Sequence, residues 1–424
     1  MQFERFVAPV VVERFVAPVV GRRMATFRVV VLAGARQVGK TTLLRSLPEL
    51  KDGTFLSFDR PDLLERARDS AIDLVESAAP PVVIDEYQRA GDELLLAIKY
   101  VVDRDPRRGR FVLAGSTQFL TNRLLSETLA GRIGIVEALP VSMGEVIGHR
   151  ETLLDAIFES GVGVLGDRVP EQLGRARLSA LIARGGYPEA VLLDDDARRD
   201  FFDAYVDTVV GREALADVGA ARTRTDLRHL LRLCAARTAQ EHHPTTLSAD
   251  ALMSRQAVTG LVEVLATLGL VRLIPAWSTN ATNRAKKAPK IFMLDTGVAT
   301  ALLGQSPASL VQPDQAMFGP LTETYVANEI QKAASWSRVR PRLSHFRDRE
   351  GRKVDLIAEA DDGRIVAIEV KSSTAIAPRA FENLRYLRSR VGERFVGGLV
   401  LHGGNETWRA DDSLWAAPIS VLWS

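Results

Sequence analysis

The sequence predicts an α/β protein in which a parallel-sheet domain is followed by a helical middle with a winged-helix pattern and by a second, C-terminal α/β domain. Three observations carry this reading. Gly34-Ala35-Arg36-Gln37-Val38-Gly39-Lys40-Thr41 follows the apolar run Val29 to Ala33 and precedes Thr42-Leu43-Leu44-Arg45. Further short apolar runs each lead into a helical pattern, as in a parallel sheet with its ligand at the carboxyl edge. Near the end, Asp355 and Glu369-Val370-Lys371 flank a predicted hairpin turn, Asp361-Asp362-Gly363.

The first run is G-x-x-x-x-G-K-T between a strand and a helix, which makes it a P-loop prediction. Backbone N–H groups of Gly34, Ala35, Arg36, Gln37, Val38 and Gly39 would cradle phosphates, with Thr42 at the helix start. Lys40 would reach the β- and γ-phosphates of ATP, and Thr41 would hold Mg²⁺. The alternative is a glycine turn before an ordinary helix.

Thr54 to Phe58 reads as a second strand and ends at Asp59, which would border the nucleotide or the water shell of Mg²⁺. Pro81-Val82-Val83-Ile84 ends in Asp85-Glu86. This resembles a Walker B strand, with Asp85 on Mg²⁺ and Glu86 orienting and deprotonating the attacking water. Arg110 to Ala114 ends in Gly115-Ser116-Thr117-Gln118, where Ser116 is a candidate γ-phosphate sensor and a hydrophilic turn is the other reading. Gly134 to Leu139 would be a fifth strand. Arg132, in Leu129-Ala130-Gly131-Arg132, is a candidate arginine finger acting from a neighbouring subunit, or a surface arginine.

The stretches GARQVGKTTLL, VVIDEYQ, FVLAGSTQFL and LAGRIG together resemble the AAA-type ATPase module of many bacterial and archaeal proteins. The resemblance implies ATP and Mg²⁺ as cofactors and a C-terminal region of unknown function behind the ATPase. Gly185-Gly186-Tyr187-Pro188, Phe201 to Tyr205 and Lys290 to Gly297 match that region. One departure is Arg212-Glu213, where the family often has Arg-Asp.

Composition bounds the rest. A chain of 424 residues with 25% charged and 46% hydrophobic residues fits two or three soluble domains. Net charge of +2 gives no global field for nucleic acid. A single cysteine, Cys234, excludes an internal disulfide or a cysteine zinc site and fits a cytoplasmic protein. No apolar stretch is long enough to span a bilayer. Glu4 to Val11 recurs as Glu13 to Val20, which reads as a local duplication forming an extended arm. The expected segments are an arm at 1–25, the ATPase domain at 26–150, a helical lid and connector at 151–240, a winged-helix-like module at 241–310 and the C-terminal domain at 311–424.

In the middle, a short helix at Ser248 to Leu252, a second from Gln256 to Leu268 and strands at 270–274 and 291–294 make the winged-helix pattern. Its second helix would enter a DNA major groove, or the module would serve protein contacts alone. Arg284, Lys286, Lys287 and Lys290 form a basic loop that supports the first reading. His242-His243 reads as a solvated loop.

At the C-terminus, strand alternation puts Glu369 and Lys371 on one face and Ile368 and Val370 on the other. Asp…Glu-x-Lys resembles the signature of restriction-endonuclease-like folds. Asp355, Glu369 and the helical Glu323 would then hold Mg²⁺, and Lys371 would activate water or steady the phosphorane. Glu329 lies too far round the same helix. The cluster Arg338, Arg340, Arg342, Arg347, Arg349, Arg352 and Lys353 would contact a DNA or RNA backbone, or protect a strand edge. These readings leave open an ATP-driven nuclease, a nucleotide-gated regulator or toxin-like effector that only binds, and a signalling ATPase that meets proteins alone.

Overall fold

Apolar runs bounded by turns build the first domain. In the computed structural model, which describes residues 12–115, 129–213, 224–279, 284 and 287–424, five such runs form a sheet: β1 (Val29–Ala33), β2 (Thr54–Ser57), β3 (Val82–Asp85), β4 (Phe111–Gly115) and β5 (Ile133–Glu137). All neighbours are parallel, in the order β2-β3-β4-β1-β5. β1, β3 and β4 are buried throughout, as strands covered on both faces must be. Alternation divides β1 between two cores. Val29 and Val31 pack toward the helices Pro61–Asp69, Ala71–Ser77 and Asp92–Arg104. Val30 and Leu32 pack toward the helices Ala17–Thr26 and Lys40–Ser46.

The second copy of the terminal repeat is therefore not an extended arm. Pro18 fits the first helical turn, where no backbone donor is lost, and Val19, Val20 and Met24 are buried against the sheet. The first copy lies outside the described residues.

The middle is helical from Leu153–Ser160 through Gly174–Arg184 to Asp195–Thr208, which runs into a π-helical turn at Val209–Glu213. The side chains of Arg212 and Glu213 lie outside the described residues. Helix Arg224–Ala236, β6 (Gln240–Glu241), helices Pro244–Ala251 and Arg255–Thr267, β7 (Val271–Ile274) and β8 (Lys290–Met293) follow. The strands form an antiparallel sheet in the order β6-β8-β7. Leu227, Leu230 and Leu231 of the helix Arg224–Ala236 share the core with Val258, Leu261 and Val262, so the expected boundary at residue 240 falls inside this unit.

The C-terminal domain runs helix Phe318–Trp336, β9 (Arg342–Arg347), β10 (Lys353–Glu359), β11 (Ile365–Lys371), helix Glu382–Val391, β12 (Phe395–His402), then β13 (Trp408–Asp411) and β14 (Leu414–Pro418). Its mixed sheet has the order β13-β14-β12-β11-β10-β9, antiparallel from β9 to β11 and parallel from β11 through β12 to β14. One continuous core runs from Phe15 through the middle to Trp423, so the units pack as a single body. No helix among the described residues is long and apolar enough to cross a membrane.

Candidate functional site

β1 feeds the phosphate loop at the carboxyl edge of the sheet. A Cβ on Gly34 would lie 2.3 Å from the carbonyl oxygen of Ala138, and Gly39 has φ +88°, so neither position tolerates a side chain without strain. Lys40 is buried, and its Nζ donates to the carbonyls of Gly34 at 3.0 Å and Ala35 at 2.9 Å. Thr41 Oγ1 donates to Asp85 Oδ2 at 2.7 Å. Asp85 ends β3. Glu86 follows with φ +53° and ψ +39°, a left-handed conformation uncommon outside glycine that concentrates at functional sites. Its N–H donates to Asp85 Oδ1 at 3.2 Å, and its carboxylate accepts from Gln88 Nε2.

A cleft of about 720 Å³ opens over this loop. Arg36, Gln37, Thr42, Asp59 and Glu86 line one side; Pro188, Leu192, Tyr205 and Val209 of the middle line the other. Asp59 is paired there with Arg89 at 2.5 Å. A loop that leaves room for phosphates, a lysine on its carbonyls and a hydroxyl–carboxylate pair fit a Mg²⁺–nucleoside triphosphate. Ser116, Thr117 and Gln118 lie outside the described residues.

Arg14 is a site residue that the sequence reading misses. It is buried, and its guanidinium donates to the carbonyls of Val38 at 2.8 Å and Leu139 at 2.6 Å and to Glu145 Oε1 at 3.1 Å. Glu145 also accepts from the Phe15 N–H at 2.7 Å and closes a capping box with Ser142. Phe15 in turn meets Trp336 of the C-terminal domain edge-on, with centroids 5.5 Å apart.

Arg132 is placed elsewhere. Val29 pairs with Ile133, and the Val29 N–H donates to the Arg132 carbonyl. Arg132 therefore sits where β1 begins, about 15 Å of strand from its phosphate-loop end, and is ion-paired with Asp103 at 2.6 Å. It does not reach the cleft of its own chain.

The C-terminal acids do converge. Leu356 faces Ile368 across the β10–β11 pair, so continuing the register sets Asp355 opposite Glu369 and Lys353 opposite Lys371. The β10–β9 pairing is irregular between Val354 and Ile357, and such a bulge re-aims a side chain. Asp355 is fully buried and accepts from the Val370 N–H at 3.1 Å. Glu323 joins it from the helix Phe318–Trp336. Glu329 lies apart, holding the Met143 N–H at 2.8 Å and Lys332 at 2.7 Å.

Each acid carries an ammonium. Lys290 Nζ is 2.6 Å from Glu323 Oε1 and 3.5 Å from Asp355 Oδ1; Lys353 is 3.4 Å from Asp355 and Lys371 2.6 Å from Glu369. Burial and then the Asp355 charge push Glu323 and Glu369 up to about 7. Burial also acts to raise Asp355, but Lys290, Lys353, the Val370 N–H and Lys371 outweigh it and hold this carboxyl below its ordinary value. The expected Mg²⁺ site at Glu323, Asp355 and Glu369 is therefore not met in this arrangement. The oxygen donors are of the right class, yet no group of three acids, histidines or cysteines among the described residues is set to hold a metal. One atom stands out: Glu369 Oε2 is buried with no hydrogen-bond partner.

The basic stretches are ion-paired largely at exposed positions. Arg338 pairs with Asp155 and Glu159, Arg342 with Asp361, Arg347 with Glu241, and Arg352 with Asp348. Arg284 grips both oxygens of Glu359 at 2.6 and 2.8 Å, and Lys287 donates to the Arg347 carbonyl at 2.7 Å. Lys286 lies outside the described residues. The charge runs that pointed to a nucleic-acid backbone thus also make contacts within the chain, from exposed side chains.

Three family models match the sequence. Residues 26–147 match an AAA domain. This segment is the parallel-sheet, P-loop ATPase-like core of the fold. Residues 175–309 match a domain of unknown function (DUF8612), and residues 318–422 match another (DUF4143). Uncharacterized proteins of Mycobacterium tuberculosis and Mycobacterium bovis are each 24% identical over 397 residues, covering 93% of this chain and 80% of the relative. Among solved structures, the Walker-type ATPase of Pyrococcus abyssi is 18% identical and covers 68% of this chain and 94% of its own, with a TM-score of 0.41. The Holliday junction branch migration motor RuvB of Thermotoga maritima is also 18% identical, covering 61% of this chain and 86% of its own at a TM-score of 0.29. Within the chain, the wall of the AAA domain's cleft formed by Pro188 to Val209 comes from the 175–309 segment, and Lys290, also in that segment, enters the acidic pocket of the 318–422 segment.

Proposed function

We propose that the chain binds and hydrolyses ATP and couples its nucleotide state to a site for nucleic acid in the C-terminal domain. The 2.7 Å bond from Thr41 to Asp85 carries the ATPase reading, because it joins the two motifs that a Mg²⁺–triphosphate needs side by side. Lys40 would leave the loop carbonyls for the β- and γ-phosphates, Thr41 and Asp85 would hold Mg²⁺, and Glu86 would orient and deprotonate water. When bound, the Mg²⁺–nucleotide supplies the phosphoryl group that water attacks. Arg132 would serve only a neighbouring subunit's nucleotide, which requires a homo-oligomer.

Coupling is supported by a short route. Pro188 Cγ lies 3.6 Å from where a Cβ of Gly39 would stand. The Gly186 N–H donates to Asp295 Oδ2 at 2.7 Å, and Asp295 follows β8, the strand that begins with Lys290. At the far end, Asp355, Glu369 and Lys371 would carry phosphodiester cleavage of DNA or RNA. The test is a cleavage panel on plasmid, linear and single-stranded substrates with Mg²⁺, with and without ATP. Activity lost in Asp355→Ala and Lys371→Ala with binding retained supports this reading.

A second reading, a nucleotide-gated regulator that binds DNA or protein without cutting, is favoured by the lysine-filled pocket. Nucleic-acid binding without cleavage by any preparation would select it.

A further inference from the structure

The cation in the acidic pocket comes from a neighbouring unit. Lys290 opens β8, where it is paired with Glu241 on β6 and Ile274 on β7. Its side chain leaves that sheet and is 6% exposed, with Nζ against Glu323 and Asp355. Lys353 and Lys371 belong to the C-terminal strands themselves and are about half and one-third exposed. Only Lys290 depends on how the β7–β8 strand pair sits.

That seat is specific. The strand pair docks on the β9 edge through a bridge between Ala276 and His345, with the Trp277 N–H on the His345 carbonyl at 2.5 Å and the His345 N–H on the Pro275 carbonyl at 3.0 Å. Arg284 and Lys287 add their bonds to Glu359 and Arg347. A buried lysine is costly unless paired, and a buried acid pair is costly unless neutralised. Lys290 meets both needs while β8 is docked. It still leaves Glu369 Oε2 with no hydrogen-bond partner, so the pocket is not fully satisfied by its own side chains.

We propose that Lys290 is a resident counter-ion that fills the acidic pocket while β8 is docked, and that the pocket becomes a divalent-cation site when this ammonium withdraws. The inference rests on the reading of Asp355 and Glu369 as the business end of the C-terminal domain. It accounts for three acids of metal-binding type brought together in an arrangement that does not suit a metal.

Mn²⁺ binding to the full chain without nucleotide tests it. Lys290→Met keeps the length of the side chain and removes its charge. It should gain one Mn²⁺ site at least ten-fold tighter than wild type shows beyond the P-loop, and Lys290→Met with Asp355→Asn should lose that site. Unchanged Mn²⁺ affinity in a Lys290→Met protein that melts like wild type overturns the proposal. Arg284→Ala loosens the docking without entering the pocket and should tighten Mn²⁺ about three-fold; if Lys290→Met does not fold, no change in Arg284→Ala overturns the proposal instead. Plasmid cleavage is scored separately. Tight Mn²⁺ binding without cleavage removes the nuclease reading and keeps the counter-ion, whereas cleavage with unchanged Mn²⁺ affinity does the reverse.

Discussion

Arg14 donates a 2.8 Å hydrogen bond to the carbonyl of Val38, inside the loop that runs between the P-loop glycines Gly34 and Gly39. Its other bonds tie that loop to Leu139 and Glu145, so one guanidinium fixes three segments around the phosphate cradle. Charge-assisted bonds of this kind contribute about 1.5–3 kcal/mol. Arg14→Ala should raise the dissociation constant for a fluorescent ATP analogue roughly ten-fold. Because Glu4 to Val11 repeats Glu13 to Val20, a shift by one repeat would present Arg5 and Phe6 in the same order. The double variant Arg5→Ala/Arg14→Ala closes that route, and wild-type affinity in it would show that Arg14 does not position the loop.

Lys40 and Glu86 should separate binding from turnover. Lys40→Ala removes the only lysine of the loop and should abolish nucleotide binding. Glu86→Gln keeps the size of the side chain and its contact with Gln88, but it cannot take a proton. It should bind ATP with unchanged affinity while kcat falls by about 10²–10⁴. Phosphate release at the wild-type rate in Glu86→Gln would move the general base elsewhere.

The phosphate loop was legible because its chemistry demands contiguous residues in a fixed order between a strand and a helix. The Asp355–Glu369 convergence was legible for a related reason: strand alternation and a short turn set it locally. Arg14 was not, since its partners Val38, Leu139 and Glu145 are distant in sequence and the fold alone gathers them. Lys290 reads in sequence as one more charge in a basic loop. Its pairing with Glu323 depends on how two units dock, which no local pattern encodes. The ion pairs of the arginines from Arg338 to Arg352 were hidden for the same reason, because composition counts charges and not their partners. Arg132 follows a plausible motif, but the parallel register of β5 with β1 sets it at the amino edge of the sheet.

Asp295 should be a stability hinge as well as a helix cap. It is fully buried and accepts the N–H groups of Gly186 at 2.7 Å, Gly297 at 2.8 Å and Val298 at 3.1 Å. Asp295→Ala orphans these donors and should cost on the order of 3 kcal/mol in denaturant unfolding. Gly185→Ala should cost a similar amount, because a Cβ there would lie 2.2 Å from Asp295 Oδ1 and φ is +65°. Both changes also displace Pro188 from the cleft wall, so nucleotide affinity should fall with stability. A Gly185→Ala protein with wild-type unfolding and wild-type affinity would disconnect Asp295 from the site.

Glu151 gives the chain a pH dependence that can be read away from either site. Its carboxylate accepts the Leu153 N–H, and Arg168 stands 3.8 Å away. Burial dominates and pushes it up to about 7, against the pull of the Leu153 N–H and Arg168. The unfolded chain would ionise this group near the ordinary glutamate value of about 4.3. The folded state thus binds the extra proton between those values, and stability falls as pH rises. The contribution is fully present below the unfolded value and is lost by the time pH passes about 7. Glu151→Gln keeps the acceptor for Leu153 and cannot ionise. It should leave stability unchanged at pH 4, and at pH 8.5 it should raise it by on the order of 1–3 kcal/mol. Thermal melts of the two proteins should diverge as pH rises from 4 to about 7 and stay a constant distance apart above it; parallel curves throughout would mean that Glu151 ionises in the folded chain as it does in the unfolded one.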